Sequence, residues 1–229
     1  MQDLGAMTTT VLDREMYAEP HAARLLRVAP GTLHYWLEGG TQRGKTYKPV
    51  IRERATGSKS VTWAEFVEAG LLRQYRRDLN VPMVELRAFI DSLRQRLGVP
   101  YPLAHAKPYV SGRELVMEAQ DEAGLSSDYV LVAEARGQYI LSPAAQNFFD
   151  RVTWAGDDVA SWRPDDRPDS PVVIDPDVRF GAPSVGGIST SILWEQSQGG
   201  EDEQDLADTY GLTLGQVRWA LAYEATQAA

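Results

Sequence analysis

The sequence contains no cysteine, three histidines and four lysines in 229 residues. Without cysteine there are no disulfides, thiolate zinc sites or thiol nucleophiles, which fits a reducing cytosol. His21, His34 and His105 lack metal-ligand spacing, so each is read as an exposed or locally satisfied side chain and no metal is expected. No apolar run approaches the roughly 20 residues needed to cross a bilayer, and the start, MQDLGAMTTT, lacks the basic flank and apolar stretch of a secretory signal. A soluble, cytoplasmic protein without a membrane partner is expected. There is also no Gly-rich phosphate loop, no repeat at a solenoid period and no long heptad region. No cofactor is expected.

What is present is enough apolar sequence, 43%, to bury a core, and an uneven charge. Residues 1–110 hold 16 Lys+Arg against 11 Asp+Glu, net +5, whereas residues 111–229 hold 7 against 21, net -14. A basic front joined to an acidic rear points to two partners of opposite charge.

The pattern along the chain is α+β and mostly helical. After a frayed start over 1–17, Glu19-Pro20-His21 reads as a helix entry, with Pro20 in the first turn. Val28 to Gly31 breaks that helix, and a second begins at Pro30 or Gly31, burying Leu33, Trp36 and Leu37 and ending at Gly39-Gly40. Thr32, His34 and Tyr35 form its outward face. Val50-Ile51 and Val61-Thr62, separated by Thr56-Gly57-Ser58, read as a hairpin. Around it lie Arg43, Lys45, Lys48, Arg52, Arg54 and Lys59 against the single Glu53. Ala64 to Arg77 and Pro82 to Leu97 read as amphipathic helices, the second lined by Val84, Leu86, Phe89, Ile90, Leu93 and Leu97.

Helix, tight turn, helix and basic hairpin is a winged helix-turn-helix pattern. A helix in the major groove presents short polar side chains to base edges, while cations on the wing neutralise phosphates. Thr32, His34 and Tyr35 would meet bases, and the six cations would grip the backbone of operator DNA. A plain helical hairpin with a solvated basic loop is the simpler alternative.

PYPLAHAKPYVSG, with three prolines, reads as a boundary. Domains are therefore expected at 18–104, at 105–168 (a strand-rich middle segment and linker) and at 169–229. In the middle, Glu114–Ala119, Tyr129–Ala133 and Gln138–Leu141 read as strands, Ala144 to Val152 as a helix and Val159–Arg163 as a strand. Toward the end, helices are expected near Thr190–Gln198, Glu203–Tyr210 and Thr213–Ala225. Leu206, Tyr210, Leu212, Val217, Leu221 and Tyr223 are read as core. That rear pair offers Arg218 alone as a cation near Glu201, Asp202, Glu203, Asp205 and Asp208, which disfavours a phosphate backbone. Asp165, Asp166, Asp169, Asp175 and Asp177 have carboxylates that a magnesium site would use. Without a positioned base they read as an acidic linker and a turn, and no enzyme is expected.

HAARLLRVAPGTLHYWLEGG resembles the MerR-type DNA-binding domain, in which a T-L-x-Y-[YW] run opens the DNA-reading helix; Thr32-Leu33-His34-Tyr35-Trp36 fits it. His34 stands where that family usually has arginine. The cysteine effector site and long dimerisation helix of metal-sensing members are missing. The rear, from Ile174 to Ala225, is similar to a small domain family of formally unknown function, through Asp175-Pro176, Gly181, Pro183, Gly187, Ala207, Tyr210, Leu212-Thr213, Val217 and Ala220-Leu221. That second resemblance implies a helical fold with a helix-turn-helix-like pair, often found in antitoxins encoded beside PIN-domain ribonucleases of the VapC type. Together they imply a large VapB-type antitoxin: a homodimer that represses its operon through the front and meets its toxin through an unspecified region after Ser111. A stand-alone MerR-type regulator with a small-ligand pocket in the middle strands is the main alternative, and a metal-dependent nuclease the third.

Overall fold

The computed structural model describes residues 10–228 apart from 43, 78–80, 126–130, 136–137 and 166. The chain starts its order earlier than expected. A 3-10 turn, Val11–Asp13, leads into β1 (Glu15–Ala18), and Leu12 and Tyr17 are buried. Of the frayed start read over 1–17, residues 10–17 are therefore structured; residues 1–9 lie outside the described set.

α1 (Glu19–Leu25) and α2 (Pro30–Glu38) both carry proline in the first turn, where the missing N–H costs little. Between them, Arg27 takes a left-handed conformation (φ 52°), and the Val28 N–H closes back on the Ala23 carbonyl at 3.0 Å, the geometry that ends a helix tightly. α2 buries Leu33, Trp36 and Leu37 and stops at Gly39.

The expected hairpin is not formed. In the place where a wing would stand, directly after α2, lies the short antiparallel pair β2 (Gly40–Gln42) and β3 (Lys45–Tyr47). Val50 and Ile51 form no strand. They are buried, and both their N–H groups donate to the Trp36 carbonyl, at 2.9 and 3.1 Å. Thr56-Gly57-Ser58 therefore does not join two hairpin strands. β4 (Ser60–Thr62) pairs instead with β1, Tyr17 opposite Val61, and both of those side chains are buried.

α3 (Trp63–Arg77) and α4 (Met83–Leu97) follow as expected, except that Val84 is 69% exposed while the other five apolar positions read for α4 are buried. The boundary stretch is interior: Leu103, Ala104 and Tyr109, from a 3-10 turn and α5 (Lys107–Val110), are buried in the same core as α3 and α4. The strand read at Glu114–Ala119 is helix α6 (Arg113–Ala123). Its buried residues Val116, Ala119 and Gln120 fall at helical spacing and face α4, which the local alternation of ELVMEA concealed. Gln120 then fastens the next strand, accepting from the N–H groups of Leu131 (2.7 Å) and Val132 (2.9 Å) and donating to the Val132 carbonyl (2.9 Å).

That strand is β5 (Val132–Ala135), two to three residues later than read, paired with β6 (Gln138–Leu141); Tyr129 and Val130 lie outside the described residues. α7 (Pro143–Asp150) is capped by Ser142, and β7 (Val152–Ala155) pairs with β8 (Asp158–Trp162). Among the described residues the middle segment thus holds more helix than strand. One core runs from Leu12 to Ile174, with Tyr17, Trp63, Phe66 and Trp162 stacked edge and face at 4.7–5.9 Å. The Trp63 indole N–H is satisfied by the Val159 carbonyl at 2.7 Å.

The rear comprises β9 (Ser184–Val185), β10 (Ile188–Ser189), α8 (Thr190–Gln198), α9 (Glu203–Tyr210) and α10 (Leu214–Ala228). Leu206, Val217 and Tyr223 are buried, with Tyr210, Leu212 and Leu221 packed beside them. The rear docks on the front: the buried Tyr17 hydroxyl donates to the Gly181 carbonyl at 2.7 Å, and Arg14 reaches Asp177 and the Pro176 carbonyl. The whole is α+β, with small antiparallel sheets among helices. Among the described residues no helix is long and apolar enough to cross a membrane.

Candidate nucleic-acid interface

α2 owes its display to its two ends. Ala29-Pro30 starts it, and Gly39 (φ 72°) turns the chain into the wing so closely that a Cβ there would lie 2.3 Å from the Tyr47 carbonyl oxygen. The turn folds β3 back along the helix, bringing Tyr47 within 6.3 Å of Tyr35, ring to ring.

Of the residues read as meeting bases, Thr32 is exposed and His34 and Tyr35 are half-buried. His34 Nδ1 lies 3.0 Å from the Glu19 carboxylate, and the Tyr35 hydroxyl accepts from Arg87 at 3.2 Å. Among the six wing cations, Lys45, Lys48, Arg54 and Lys59 are exposed. Arg43 lies outside the described residues. Lys45 and Lys48 belong to the wing beside Tyr35, with the Lys45 ammonium over the Tyr47 ring at 5.4 Å. Arg54 and Lys59 belong to a separate loop, tied to the C-terminal end of α2 at Glu38 by the N–H groups of Thr56 (2.9 Å) and Gly57 (2.8 Å).

Arg52 is not a surface cation, which corrects the sequence expectation. Its side chain is 4% exposed, and its guanidinium is held by Glu65 (2.6 Å), Glu38 and the Ser60 carbonyl. Burial opposes its charge, but the hydrogen bonds and attraction of Glu65 and Glu38 outweigh burial and raise its pKa. Burial pulls Glu38 upward and is outweighed by the Gly57 N–H, the Thr56 hydroxyl and Arg52, leaving its pKa lowered. The group is a fixed internal salt bridge that holds the 52–60 loop in place.

Three cations missed in the sequence converge on the same face. Arg73 and Arg76 from α3 and Arg87 from α4, with Arg27 from the α1–α2 turn, line a cleft of about 850 Å³ together with Thr32, Tyr35, Trp36 and Tyr47. The spacing of Arg73 and Arg76, three apart on one helix, carries a signal; their approach to Arg87 depends on where the fold places α4.

The acidic groups are distributed differently. Arg218, the cation of the rear helix pair, is bound to Glu203 at 2.8 Å, and Asp202, Asp205 and Asp208 are exposed on and beside α9. Asp165 is bound by Arg167, Asp177 by Arg14, and Asp175 accepts the Asp177 N–H in a turn. Asp166 lies outside the described residues, and among those described no three His, Asp or Glu gather as a metal would need.

No protein-family model matches the chain. It is 34% identical over 225 residues to an uncharacterized protein of Mycobacterium tuberculosis, Rv2308, covering 94% of this chain and 92% of that one. It is 29% identical over 225 residues to "Putative antitoxin VapB45" of the same organism, covering 91% of this chain and 93% of that one. The crystal structure of Rv2018 from Mycobacterium tuberculosis superposes with a TM-score of 0.74 at 26% identity, covering 93% of this chain and 100% of the other. Both sequence relations run almost end to end, so the front, middle and rear belong together in these proteins. The chain belongs to the family that Rv2308 represents, and its 29% identity to the VapB45 protein supports membership among antitoxins.

Proposed function

We propose that this protein is the antitoxin of a type II toxin–antitoxin pair, which neutralises a PIN-domain ribonuclease of the VapC type by direct contact and represses its own operon by binding operator DNA. The observation that carries the antitoxin assignment is the near full-length relation to the protein named for antitoxin VapB45. The DNA part is supported by the exposed Thr32 on α2, by the exposed Lys45 and Lys48 of the strand pair that follows it, and by the exposed Arg54 and Lys59 of the second loop. In a homodimer two such helices enter successive major grooves about 34 Å apart. The acidic rear, net -14 over 111–229, is the surface that complements a ribonuclease built to hold RNA phosphates.

The test is co-expression of the full chain with the ribonuclease encoded beside it. Relief of growth arrest and co-purification of the pair support the assignment; persistent arrest with folded antitoxin present rejects it. The full chain is used because α6 packs on α4, so a cut at Ser111 would strip the front core.

A further inference from the structure

The cleft beside α2 has a composition that asks for an anion. Four guanidinium groups, Arg27, Arg73, Arg76 and Arg87, line it, and no carboxylate does so among the described residues. The contacts of three of them are to neutral oxygens: Arg27 to the Thr226 hydroxyl, Arg76 to the Val81 carbonyl, Arg87 to the Lys48 carbonyl and the Tyr35 hydroxyl. Those contacts orient the groups; Arg27 is also attracted by Asp165, whereas Arg76 and Arg87 meet neutral oxygens alone among the contacts seen. Arg76 and Arg87 are half-buried, and like charges in a concave wall repel one another; a phosphate answers both their charge and their forked geometry.

The rest of the lining is flat and apolar. Tyr35, Trp36 and Tyr47 contribute rings, Val28, Met83 and Val84 aliphatic surface, and the Arg87 guanidinium lies 5.9 Å from the Tyr35 ring centre and 5.4 Å from that of Tyr47. Aromatic faces with an adjacent guanidinium are the surfaces on which nucleobases stack. The volume, about 850 Å³, matches pockets that enclose small ligands. A duplex is convex and rides over such a recess, whereas a small ligand fills it.

We propose that this cleft binds a free mononucleotide, its phosphate on Arg76 and Arg87 and its base against Tyr35 and Tyr47. Because Thr32 and Tyr35 line the cleft and also form the face proposed to read DNA, occupancy competes with the operator; this regulatory part rests on the DNA reading above. Nucleotide binding then releases repression.

Calorimetric titration of the full chain with AMP, adenosine and inorganic phosphate, without DNA, tests the site. Saturable AMP binding is expected, with adenosine and phosphate each at least about tenfold weaker, a difference of ~1.4 kcal/mol. Arg76→Gln and Arg87→Gln each weaken AMP by a similar factor, while an Arg54→Ala/Lys59→Ala variant, altered on the 52–60 loop outside the cleft lining, keeps AMP affinity and loses duplex affinity in a gel shift. AMP no tighter than phosphate, adenosine equal to AMP, or folded glutamine variants with unchanged AMP affinity would overturn the site. If a glutamine variant fails to fold, the three-probe comparison on the natural protein decides. A single-stranded oligonucleotide that binds where AMP does not would overturn the free-nucleotide assignment in favour of a polymer. Duplex binding undiminished by saturating AMP would overturn the competition, whereas AMP binding by a protein that never binds duplex would refute the operator reading and uphold the cleft.

Discussion

Arg52 lies between two carboxylates, Glu65 and Glu38, with almost none of its side chain in contact with solvent. Removing one member of a buried ion group strands the others, so Arg52→Met is expected to cost about 3–5 kcal/mol in urea unfolding. Arg52→Lys should recover little, because an ammonium cannot reproduce the planar fork that meets Glu65 with two nitrogens. A loss below about 1 kcal/mol, typical of an exposed pair, would refute the buried triad. Glu68 is a second interior acid. One oxygen accepts the Leu103 N–H at 2.8 Å, and burial, opposed by Arg94, pushes its pKa up to about 8. Between its ordinary value and about 8 the folded chain holds a proton that the unfolded chain has released. Stability from this group is therefore full at mildly acid pH and falls as pH rises, by on the order of 1 kcal/mol per unit, levelling off above the folded value. Glu68→Gln, which mimics the protonated form, should flatten that fall; identical pH profiles of thermal unfolding for both proteins would contradict it.

Gly39 decides whether α2 can hand over to its wing. Its φ of 72° with ψ of -154° suits glycine alone, and a Cβ would meet the Tyr47 carbonyl. Gly39→Ala should cost about 1–3 kcal/mol from the backbone conformation alone, with more from the clash, and should move the wing away from Tyr35. Denaturant unfolding reads the first effect, and an unchanged midpoint would refute it. The helices of this region are legible because periodicity is local: α1 to α4 bury the positions their spacing marks, Val84 excepted. Strand partners are not local. β4 was matched to Val50-Ile51, its neighbour in sequence, while its actual partner β1 lies over forty residues away, in a stretch whose single buried position, Tyr17, gave no alternation to read. The same limit hid the candidate site. Thr32, Tyr35, Lys45 and Lys48 follow from one helix and the strand pair after it, whereas Arg73, Arg76 and Arg87 meet Thr32 and Tyr35 only through the tertiary placement of α3 and α4. Arg52 reads as a surface cation for a related reason: its acidic partners stand 13 and 14 residues away, on α3 and α2.

Across the molecule, basic front and acidic rear share one chain and are held in contact. Tyr17 to Gly181, Arg14 to Asp177 and Arg27 to Thr226 tie β1 and the α1–α2 turn to the rear, and Arg27 lies over the Tyr223 ring at 5.8 Å. Gly181 (φ 74°) has no room for a Cβ, which would sit 2.5 Å from the Tyr17 hydroxyl oxygen. Gly181→Ala should therefore destabilise the chain by about 2 kcal/mol or more, and adding Tyr17→Phe should cost less than it does alone, because the clash and the hydrogen bond involve the same oxygen. Strict additivity in unfolding would contradict direct docking. The overall charge pattern is legible from composition, but its geometry is not: of the six cations between Arg43 and Lys59, the five described resolve into two exposed pairs, Lys45 with Lys48 and Arg54 with Lys59, and the buried Arg52.

The central claim is that the front of this acidic protein grips nucleic acid through exposed lysines and arginines. The measurement that tests it most directly is the salt dependence of affinity for the DNA upstream of its gene. With Lys45, Lys48, Arg54 and Lys59 each meeting a phosphate, log affinity should fall against log salt with a slope of about -3 to -4 per subunit, and Lys45→Glu/Lys48→Glu should reduce its magnitude by about 2. A slope near zero, or one that the double charge reversal leaves unchanged, would contradict the account.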